Sequence, residues 1–332
     1  MKRLSLLFLS LALSLVWFVS QPKEGTGGEP QNGIPTSSPL TKIRFVSTGL
    51  DAKDMHIVLG VEKGVFKKNG IDFQFIPFEK GGPEALAAAA SGQAEMGGFG
   101  TPILIGISRG LQIKVVGAPV QKEILFVLVG RPDIKTVRDL KGQTIATGAL
   151  GGGSHQSALK ILAANGLNDS DVKVAATGGT NPELILKSGK VAAVVVSEPI
   201  VTKFELAGIG RTLARAADVY GKYQHSYIFA TNSLIKNNPE AIRGVLKAQK
   251  EAAEYAASHQ EELIALTIKT LGLDEALVRS YFKKTIPSWD KSGSVDVEGA
   301  NGAFRILKDL DEIDKNYNPK VDQWFDSRFL PK

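Results

Sequence analysis

Residues 178–189 read GGTNPELILKSG, and residues 81–92 read GGPEALAAAASG. Each segment opens with two glycines, passes through proline and glutamate into a helix-like run, and closes on a glycine eleven positions after the first. A residue followed by proline then comes nine positions after each closing glycine, at Thr101 and at Glu198. This shared spacing indicates that the chain contains the same unit twice.

The sequence around these segments extends the repeat in both directions. Strand-like runs come before each glycine pair, IRFVSTG and IDFQFIPF in the first unit and TIATG and VKVAAT in the second. Between each pair of strands, a helix-like run ends in Asn-Gly, which is a left-handed stop signal. Strands that alternate with helices predict parallel sheets covered by helices. We therefore predict an α/β protein of two similar lobes, with the ligand crevice at the loops that follow the strands.

The loop GALGGGSH at 148–155 has glycines at the spacing of a phosphate-binding P-loop. Ser154 and His155 stand where a P-loop needs lysine and a serine or threonine, so a nucleotide site is not indicated. We predict instead that Ser154 caps the following helix and that the free N–H groups of its first turn favour an anion. An ordinary turn explains any one such loop, but several loops that converge from two lobes favour a ligand site.

The candidate ligand-binding residues lie in these loops and at the starts of the helices that follow them. His56 and His155 occupy comparable places in the two units, although either could be an ordinary residue at a helix start. Glu198 could bind a cationic or hydroxyl group of the ligand, or it could pair with a lysine. The full set is Thr48, Gly49, His56, Gly81, Gly82, Gly100, Thr101, Pro102, Gly152, Gly153, Ser154, His155, Gly179, Thr180, Asn181 and Glu198.

Other kinds of chemistry find little support in the sequence. The chain has no cysteine, and its four histidines form neither HxH nor HxxxH, so we predict no metal site and no cofactor. No Ser/His/Asp order or carboxylate pair singles out catalytic residues. Asp51 and Asp54 are interpreted as caps or solvated groups. The net charge of +6 comes without a dense Lys/Arg block, so a nucleic-acid partner is not expected.

The two ends of the chain differ in character. Lys2 and Arg3 precede an apolar run, which is typical of a secretory signal peptide, here residues 1–20; an uncleaved anchor is the alternative. Residues 21–41 are rich in Gly, Pro, Ser and Thr and are interpreted as a flexible leader. The region from about 237 onwards is predicted to be helical. Within it, Trp289 is interpreted as a core residue or as a lid over the ligand.

Three segments together resemble the nitrate/sulfonate/taurine-type substrate-binding proteins of ABC importers. They are GVEKGVFKKNGIDFQFIPFEKGGPEALAAAASGQAEMGGFG, IKTVRDLKGQTIATGALGGGSHQSALKILAANGLNDSDVKV and LKSGKVAAVVVSEP, within a resemblance that covers about residues 43–270. The resemblance implies a type II periplasmic binding protein fold, with mixed, mostly parallel sheets around a central cleft. It places lobe I at 42–124 and 229–332 and lobe II at 125–228, with EILFVLVG and SYIFAT as the crossing strands.

The same resemblance implies a periplasmic, monomeric, non-catalytic protein that binds a small solute between its lobes and docks on an ABC permease in the membrane. Many relatives carry a lipid-anchor cysteine; without one, this chain would be free in the periplasm or tethered by an uncleaved signal segment. Glu198 favours a ligand with an anionic head and an amine, such as taurine, over a pure anion such as nitrate. An alkylsulfonate and a pyrimidine stay open.

Two other kinds of protein remain as alternatives. The first is an enzyme on the same fold, such as the pyrimidine-precursor synthase of thiamine biosynthesis or a chorismate-derived dehydratase. Export argues against both of these enzymes, and the absence of cysteine argues against the synthase, which carries a Cys-rich iron motif. The second is a sensory binding protein that feeds a receptor, which the sequence does not separate from a transport protein.

Overall fold

The structure is a computed structural model that describes residues 39–122, 126–177 and 181–330. The predicted signal peptide and the leader up to residue 38 therefore lie outside the described residues. The described strands are β1 Thr41–Ser47, β2 Ile71–Pro77, β3 Met96–Phe99, β4 Ile113–Gly117, β5 Val127–Gly130, β6 Thr144–Thr147, β7 Lys173–Ala176, β8 Ala193–Val196, β9 Arg211–Arg215 and β10 Tyr227–Thr231. Because β1 begins at Thr41, the last residue of the predicted leader belongs to a strand, and the leader prediction is wrong there.

Helices alternate with these strands and then fill the C-terminal third, as predicted. They are α1 Met55–Glu62, α2 Val65–Lys68, α3 Gly82–Ala90, α4 Pro102–Ser108, α5 Gly153–Ala164, α6 Pro182–Lys187, α7 Ile200–Leu206, α8 Ala217–Tyr220, α9 Asn232–Asn237, α10 Pro239–Ser258, α11 Gln260–Leu271, α12 Glu275–Thr285, α13 Val297–Asp309 and α14 Val321–Trp324. Short 3₁₀ turns lie at Ala52–Asp54, Val137–Leu140, Asp169–Asp171, Ile286–Ser288 and Ser327–Phe329. Among the helices of the described ranges, none combines the length and the apolar character needed to span a bilayer.

The strands form two five-stranded sheets with matching topology. The first has the order β2-β1-β3-β10-β4 and the second the order β7-β6-β8-β5-β9. In each sheet, three strands of the repeat lie side by side and parallel, and one strand, β10 or β5, pairs antiparallel with both of its neighbours. The internal repeat and the mixed α/β fold predicted from the sequence are therefore confirmed.

The Asn-Gly stops behave as their chemistry requires. Gly70 and Gly166 both have φ of +78°, a left-handed conformation that glycine adopts without the steric cost of a Cβ atom. Each lets the chain turn sharply from the end of a helix into the next parallel strand. In both units, the helix is therefore joined to the next strand by a glycine in the same conformation.

The chain passes between the two sheets twice. The first crossover runs from β4 towards β5 and the second from α8 to β10, and the backbone N–H of His225 donates to the carbonyl of Lys122 at 3.0 Å between them. The strands within both segments proposed to cross are present, although residues 123–125 lie outside the description. The residue limits of the two lobes stay a prediction.

Each sheet buries apolar residues on both faces. In the first sheet, one face packs against α3, α4 and α13, and the other packs against α1, α2 and α10. In the second sheet, α5 and α8 cover one face, and α6 and α7 cover the other. A further cluster around α10–α12 encloses Trp289, which is 7% exposed and packs against Phe282. Trp289 is thus a core residue in this structure.

Helix α13 touches the cores of both sheets. Phe304 and Leu307 pack in the cluster of the first sheet, whereas Ile306 packs in that of the second. Its glycines let it approach the second crossover closely: a Cβ atom on Gly302 would lie 2.1 Å from the carbonyl oxygen of Lys222. The helix therefore rests directly on the backbone that joins the sheets.

Candidate functional site

A cavity of about 170 Å³ lies where the strand ends of the two sheets face each other. The first sheet contributes residues that follow β1 and β3, the second contributes the residue after β8, and both crossovers contribute the rest. The lining residues are Thr48, Asp51, Lys53, Phe99, Gly100, Gln121, Phe126, Ser197, His225 and Ser226. We call this the cleft cavity. It occupies the position expected of a crevice at the carboxyl ends of parallel strands.

A second cavity, of about 40 Å³, adjoins the cleft cavity and reaches into the first sheet and its helices. The two cavities share Lys53, Phe99, Gln121 and Ser226 as lining residues. We call the smaller one the inner cavity. Its further lining residues are Phe45, Asp54, His56, Ile57, Gly98, Pro119, Val120, Ile228 and Gln249.

Three charged residues line the two cavities. The Lys53 ammonium lies 2.7 Å from Asp54 Oδ2, and Asp51 Oδ1 accepts from the backbone N–H of Ala52 at 2.6 Å. Burial opposes charge on Lys53, but the Asp54 and Asp51 carboxylates outweigh this effect and raise its pKa. Burial also raises the pKa of Asp51. Asp51 is a helix cap, as interpreted from the sequence, and it faces the cleft cavity as well.

Two imidazoles, buried at His56 and half-buried at His225, complete the polar lining. His56 Nδ1 lies 2.9 Å from the Lys53 carbonyl oxygen, and the ring packs against Trp289 at 5.3 Å between centroids. His225 packs edge-on against Phe126 at 5.2 Å. Burial lowers the pKa of His56 and that of His225 to about 4, so both rings are neutral near pH 7.

The predicted glycines stand where backbone or side chains approach closely. A Cβ on Gly100 would lie 3.0 Å from the His225 ring, and a Cβ on Gly153 would lie 2.6 Å from it. A Cβ on Gly82 would lie 2.7 Å from Pro102 Cγ, and Gly81 has a left-handed φ of +89°. Gly100 lines the cleft cavity itself, together with the predicted Thr48.

The loop before α5 differs from its prediction in one respect. The N-cap of α5 is Gly152, and Ser154 lies within the first turn, so the prediction that Ser154 caps the helix is wrong. Its hydroxyl oxygen instead accepts from the Gly148 N–H at 3.0 Å, which folds the loop back on itself. His155 Nδ1 accepts from the Gly151 N–H at 3.1 Å, and burial lowers the pKa of this ring.

Two polar contacts join the first sheet and its helices to the second. The Thr101 hydroxyl donates to Gln156 Oε1 of α5, with both side chains buried. The Lys284 ammonium of α12 lies 3.2 Å from Glu198 Oε1. Glu198 Oε2 also accepts from the N–H and the hydroxyl of Thr202. Of the two alternatives stated for Glu198, the structure therefore contains the lysine pair.

The other predicted residues lie near the cavities or apart from them. Gly49, with φ of +75°, follows Thr48 and faces the Glu79 side chain. Asn181 caps α6 by accepting from the Glu183 N–H at 2.9 Å. Gly179 and Thr180 lie outside the described residues. The role of each predicted residue in ligand binding stays a prediction.

Several lining residues were not singled out by the sequence reasoning. Lys53 lies between Asp51 and Asp54, which are interpreted from the sequence as caps or solvated groups, and it has no pattern of its own. Gln121, His225 and Ser226 lie in the crossovers, which occur once each and are not part of the repeat. Pro119, two residues before Gln121, indicates a turn, but the neighbouring residues do not form a recognisable binding motif.

The two-sheet architecture is that of periplasmic binding proteins. The alkanesulfonate-binding protein SsuA from Xanthomonas axonopodis pv. citri, solved bound to MOPS, is 19% identical with a TM-score of 0.69, over 89% of this chain and 96% of that one. The desulfurization enzyme DszB has the same fold at 16% identity and a TM-score of 0.62, over 87% and 97% of the two chains. The fold is therefore used both by binding proteins and by an enzyme.

Sequence comparison identifies the family. Residues 52–263 match the family described as NMT1/THI5 like, and the chain belongs to it. A putative aliphatic sulfonates-binding protein of Escherichia coli is 29% identical over 220 residues, 65% of this chain and 68% of that one. The riboflavin-binding protein RibY of Chloroflexus aurantiacus is 28% identical over 240 residues, 68% of this chain and 66% of that one.

Proposed function

We propose that this protein is the extracytoplasmic solute-binding component of an ABC importer. The observation that carries the proposal is the cleft cavity, whose walls come from both sheets and from both crossovers. A solute held there contacts both lobes at once, so its binding energy favours the closed form. The relatives named as binding proteins support the same conclusion. The protein is then a monomer that delivers its solute to a membrane permease.

The cavity sets limits on the solute. It is small, it has Phe99, Phe126 and His225 as flat walls, and it has few charged groups. The named ligands of the two relatives differ chemically, because sulfonates are anions and riboflavin is a neutral, flat ring system. We propose a small solute of either the sulfonate/taurine/nitrate type or a flat neutral type, and a panel that contains both separates them.

A catalytic role has less support than binding. The cavity contains Ser197, Ser226 and His225, yet within the described ranges His225 Nδ1 has no hydrogen-bond partner. A serine nucleophile needs a base at about 2.6–3.2 Å. The lining thus does not assemble the pair that acyl transfer requires.

A thermal-shift titration tests the proposed function. The panel contains taurine, ethanesulfonate, MOPS, nitrate and riboflavin. A ligand at a hundred times its Kd increases the free energy of unfolding by about 2.7 kcal/mol, which raises Tm by a few degrees. We expect Ser197→Leu, which places a bulky side chain in the cleft cavity, to abolish the shift.

The matched control is Ser170→Leu, at an exposed serine in the same lobe. It should keep the shift of the unmodified protein. A shift that survives Ser197→Leu would place the ligand elsewhere, and chemical conversion of a compound that binds would favour an enzyme.

A further inference from the structure

The inner cavity is lined by polar atoms that have no partner. Of six buried side-chain nitrogens and oxygens without a hydrogen bond in the described residues, four line the two cavities. They are Gln121 Nε2, Gln249 Nε2, His56 Nε2 and His225 Nδ1. Buried polar groups in folded proteins are nearly always paired, so such a concentration calls for an explanation.

The neighbouring contacts define what two of these atoms offer. The Tyr281 hydroxyl donates to Gln121 Oε1 at 3.1 Å, so the amide is oriented with its N–H₂ group towards the cavity. His56 Nδ1 faces the Lys53 carbonyl oxygen at 2.9 Å and therefore carries the ring proton. His56 Nε2 is then a free acceptor in the neutral ring. The inner cavity is therefore lined by amide donors and by an imidazole acceptor.

The charges around the cavities disfavour an anionic head group. The ionisable side chains that line them are Lys53, Asp51 and Asp54, two carboxyl groups against one ammonium. The ammonium already lies 2.7 Å from Asp54. A sulfonate placed here would lose its hydration without gaining an uncompensated cation, and an unpaired buried charge is costly.

We propose that the solute has a neutral, amide-type head group, a carbonyl beside an N–H, and that this group occupies the inner cavity. The carbonyl accepts from Gln121 Nε2 and Gln249 Nε2, and the N–H donates to His56 Nε2. A volume of about 40 Å³ accommodates two or three water-sized groups, which matches the C, O and N atoms of an amide. The inference rests on the proposed function and specifies the ligand of the same site.

Three compounds with the same ring test the head group. Benzamide is neutral, whereas benzoate and benzenesulfonate are anions, and the shared phenyl ring suits the walls formed by Phe99 and Phe126. A fragment of this size that fits its site has a Kd of about 10 mM or better. We expect benzamide to raise Tm at a few tens of millimolar and the two anions not to do so.

Two isosteric substitutions locate the binding. Gln121→Glu keeps an oxygen for the Tyr281 hydroxyl but replaces the amide donor with a carboxylate. Gln249→Leu removes the second donor. Since a carbonyl left without its donor in a buried site costs about 1–3 kcal/mol, we expect either variant to weaken benzamide binding by about 5- to 150-fold.

A comparison without ligand gives an independent readout. Gln249→Leu removes an unpaired buried amide and should leave the Tm of the free protein unchanged or raised by a few degrees. Gln224→Leu is the matched control: its Nε2 donates to the Ser226 carbonyl at 2.8 Å, and its Oε1 accepts from the Asp296 N–H at 2.6 Å. This buried, fully paired glutamine should lower Tm when replaced.

The outcomes separate the inference from the function on which it rests. Binding of benzamide that is lost in Gln121→Glu supports both. Binding of benzenesulfonate or benzoate in preference to benzamide keeps the solute-binding function and overturns the neutral head group. A benzamide shift that is unchanged in both variants also overturns it. If neither these compounds nor the wider panel bind, the proposed function fails as well.

Discussion

The Lys284 ammonium and the Glu198 carboxylate illustrate what single residues contribute to closure of the cleft. Lys284 belongs to α12, which packs with the first sheet's helices, and Glu198 follows β8 of the second sheet. The lysine side chain is 53% exposed, so water screens the pair and its free energy is at most about 1 kcal/mol. A contact of this strength can bias closure of the cleft without locking it.

We expect Lys284→Met to weaken solute affinity by about two- to fivefold, because the closed form loses one contact between the lobes. The effect should shrink at high salt, since the pair is exposed. Titration calorimetry at two salt concentrations checks both points. Lys283→Met is the control at the neighbouring exposed position, and an equal effect of both variants would contradict the role of the pair.

The same residues show where prediction from sequence reached its limit. The repeat placed Glu198 beside the cleft, since its position depends only on local spacing. Its partner Lys284 lies 86 residues further along the chain, and no local pattern connects the two. Gln121 was not singled out, and His225 was expected near a crossover without a role, because the positions of crossover residues depend on the assembled fold.

At the scale of elements, α13 is the part that the repeat does not explain. Its apolar residues serve both sheets, and its glycines face the second crossover. The sequence predicted a helical C-terminal region but did not predict which helix would join the lobes. A helix shows its apolar face in its sequence, whereas the backbone that it packs against depends on tertiary structure.

Gly302→Ala provides a test in which two effects have opposite signs. Helix propensity alone predicts that alanine stabilises α13 by about 1 kcal/mol. A Cβ at this position would lie 2.1 Å from the Lys222 carbonyl oxygen, a backbone atom that cannot move alone. Overpacking costs about 1–3 kcal/mol, so we expect a net loss in the free energy of unfolding.

Urea denaturation measures this free energy. Asn301→Ala is the matched control, because the preceding residue is exposed and gains propensity without a clash. A Gly302→Ala protein as stable as the Asn301→Ala protein would show that α13 does not rest on the crossover.

At the scale of the whole molecule, the two-lobe architecture was the most predictable feature. Glycine spacing and strand–helix alternation are local properties, and they repeat, so chance agreement is improbable. The crossing strands β5 and β10 were inferred from the family resemblance, since each follows a crossover and lies outside the repeated unit; their antiparallel pairing is a finding of the structure. The inner cavity left no trace in the sequence, because side chains from distant segments create it.

The imidazoles that line the two cavities make the stability of the molecule depend on pH. The pKa of His56 and that of His225 fall to about 4 in the folded protein, from an ordinary value of 6.5. The unfolded chain then binds more protons, so this stability is complete above about pH 6.5 and is lost as pH falls towards 4. At about pH 5, each ring should lower the free energy of unfolding by about 2 kcal/mol relative to its value above pH 6.5.

Urea denaturation at about pH 7.5 and about pH 5 checks this expectation. His225→Gln should reduce the difference between the two free energies of unfolding by about 2 kcal/mol, the part assigned to this ring. His259→Gln is the matched control at an exposed ring. A His225→Gln protein with the full pH dependence would show that other groups cause the acid sensitivity.

The hydrogen bond between His225 N–H and the Lys122 carbonyl brings together two distant points of the chain. All five strands of the second sheet lie between these points, and all five of the first lie outside them. One wall of the cleft is therefore encoded by one continuous stretch of the gene, and the two ends of the corresponding polypeptide segment lie next to each other. Recombination between relatives can exchange that segment through one pair of junctions, which retains Asp51 and Lys53 on the opposite wall. The two walls of the cleft can therefore be inherited separately.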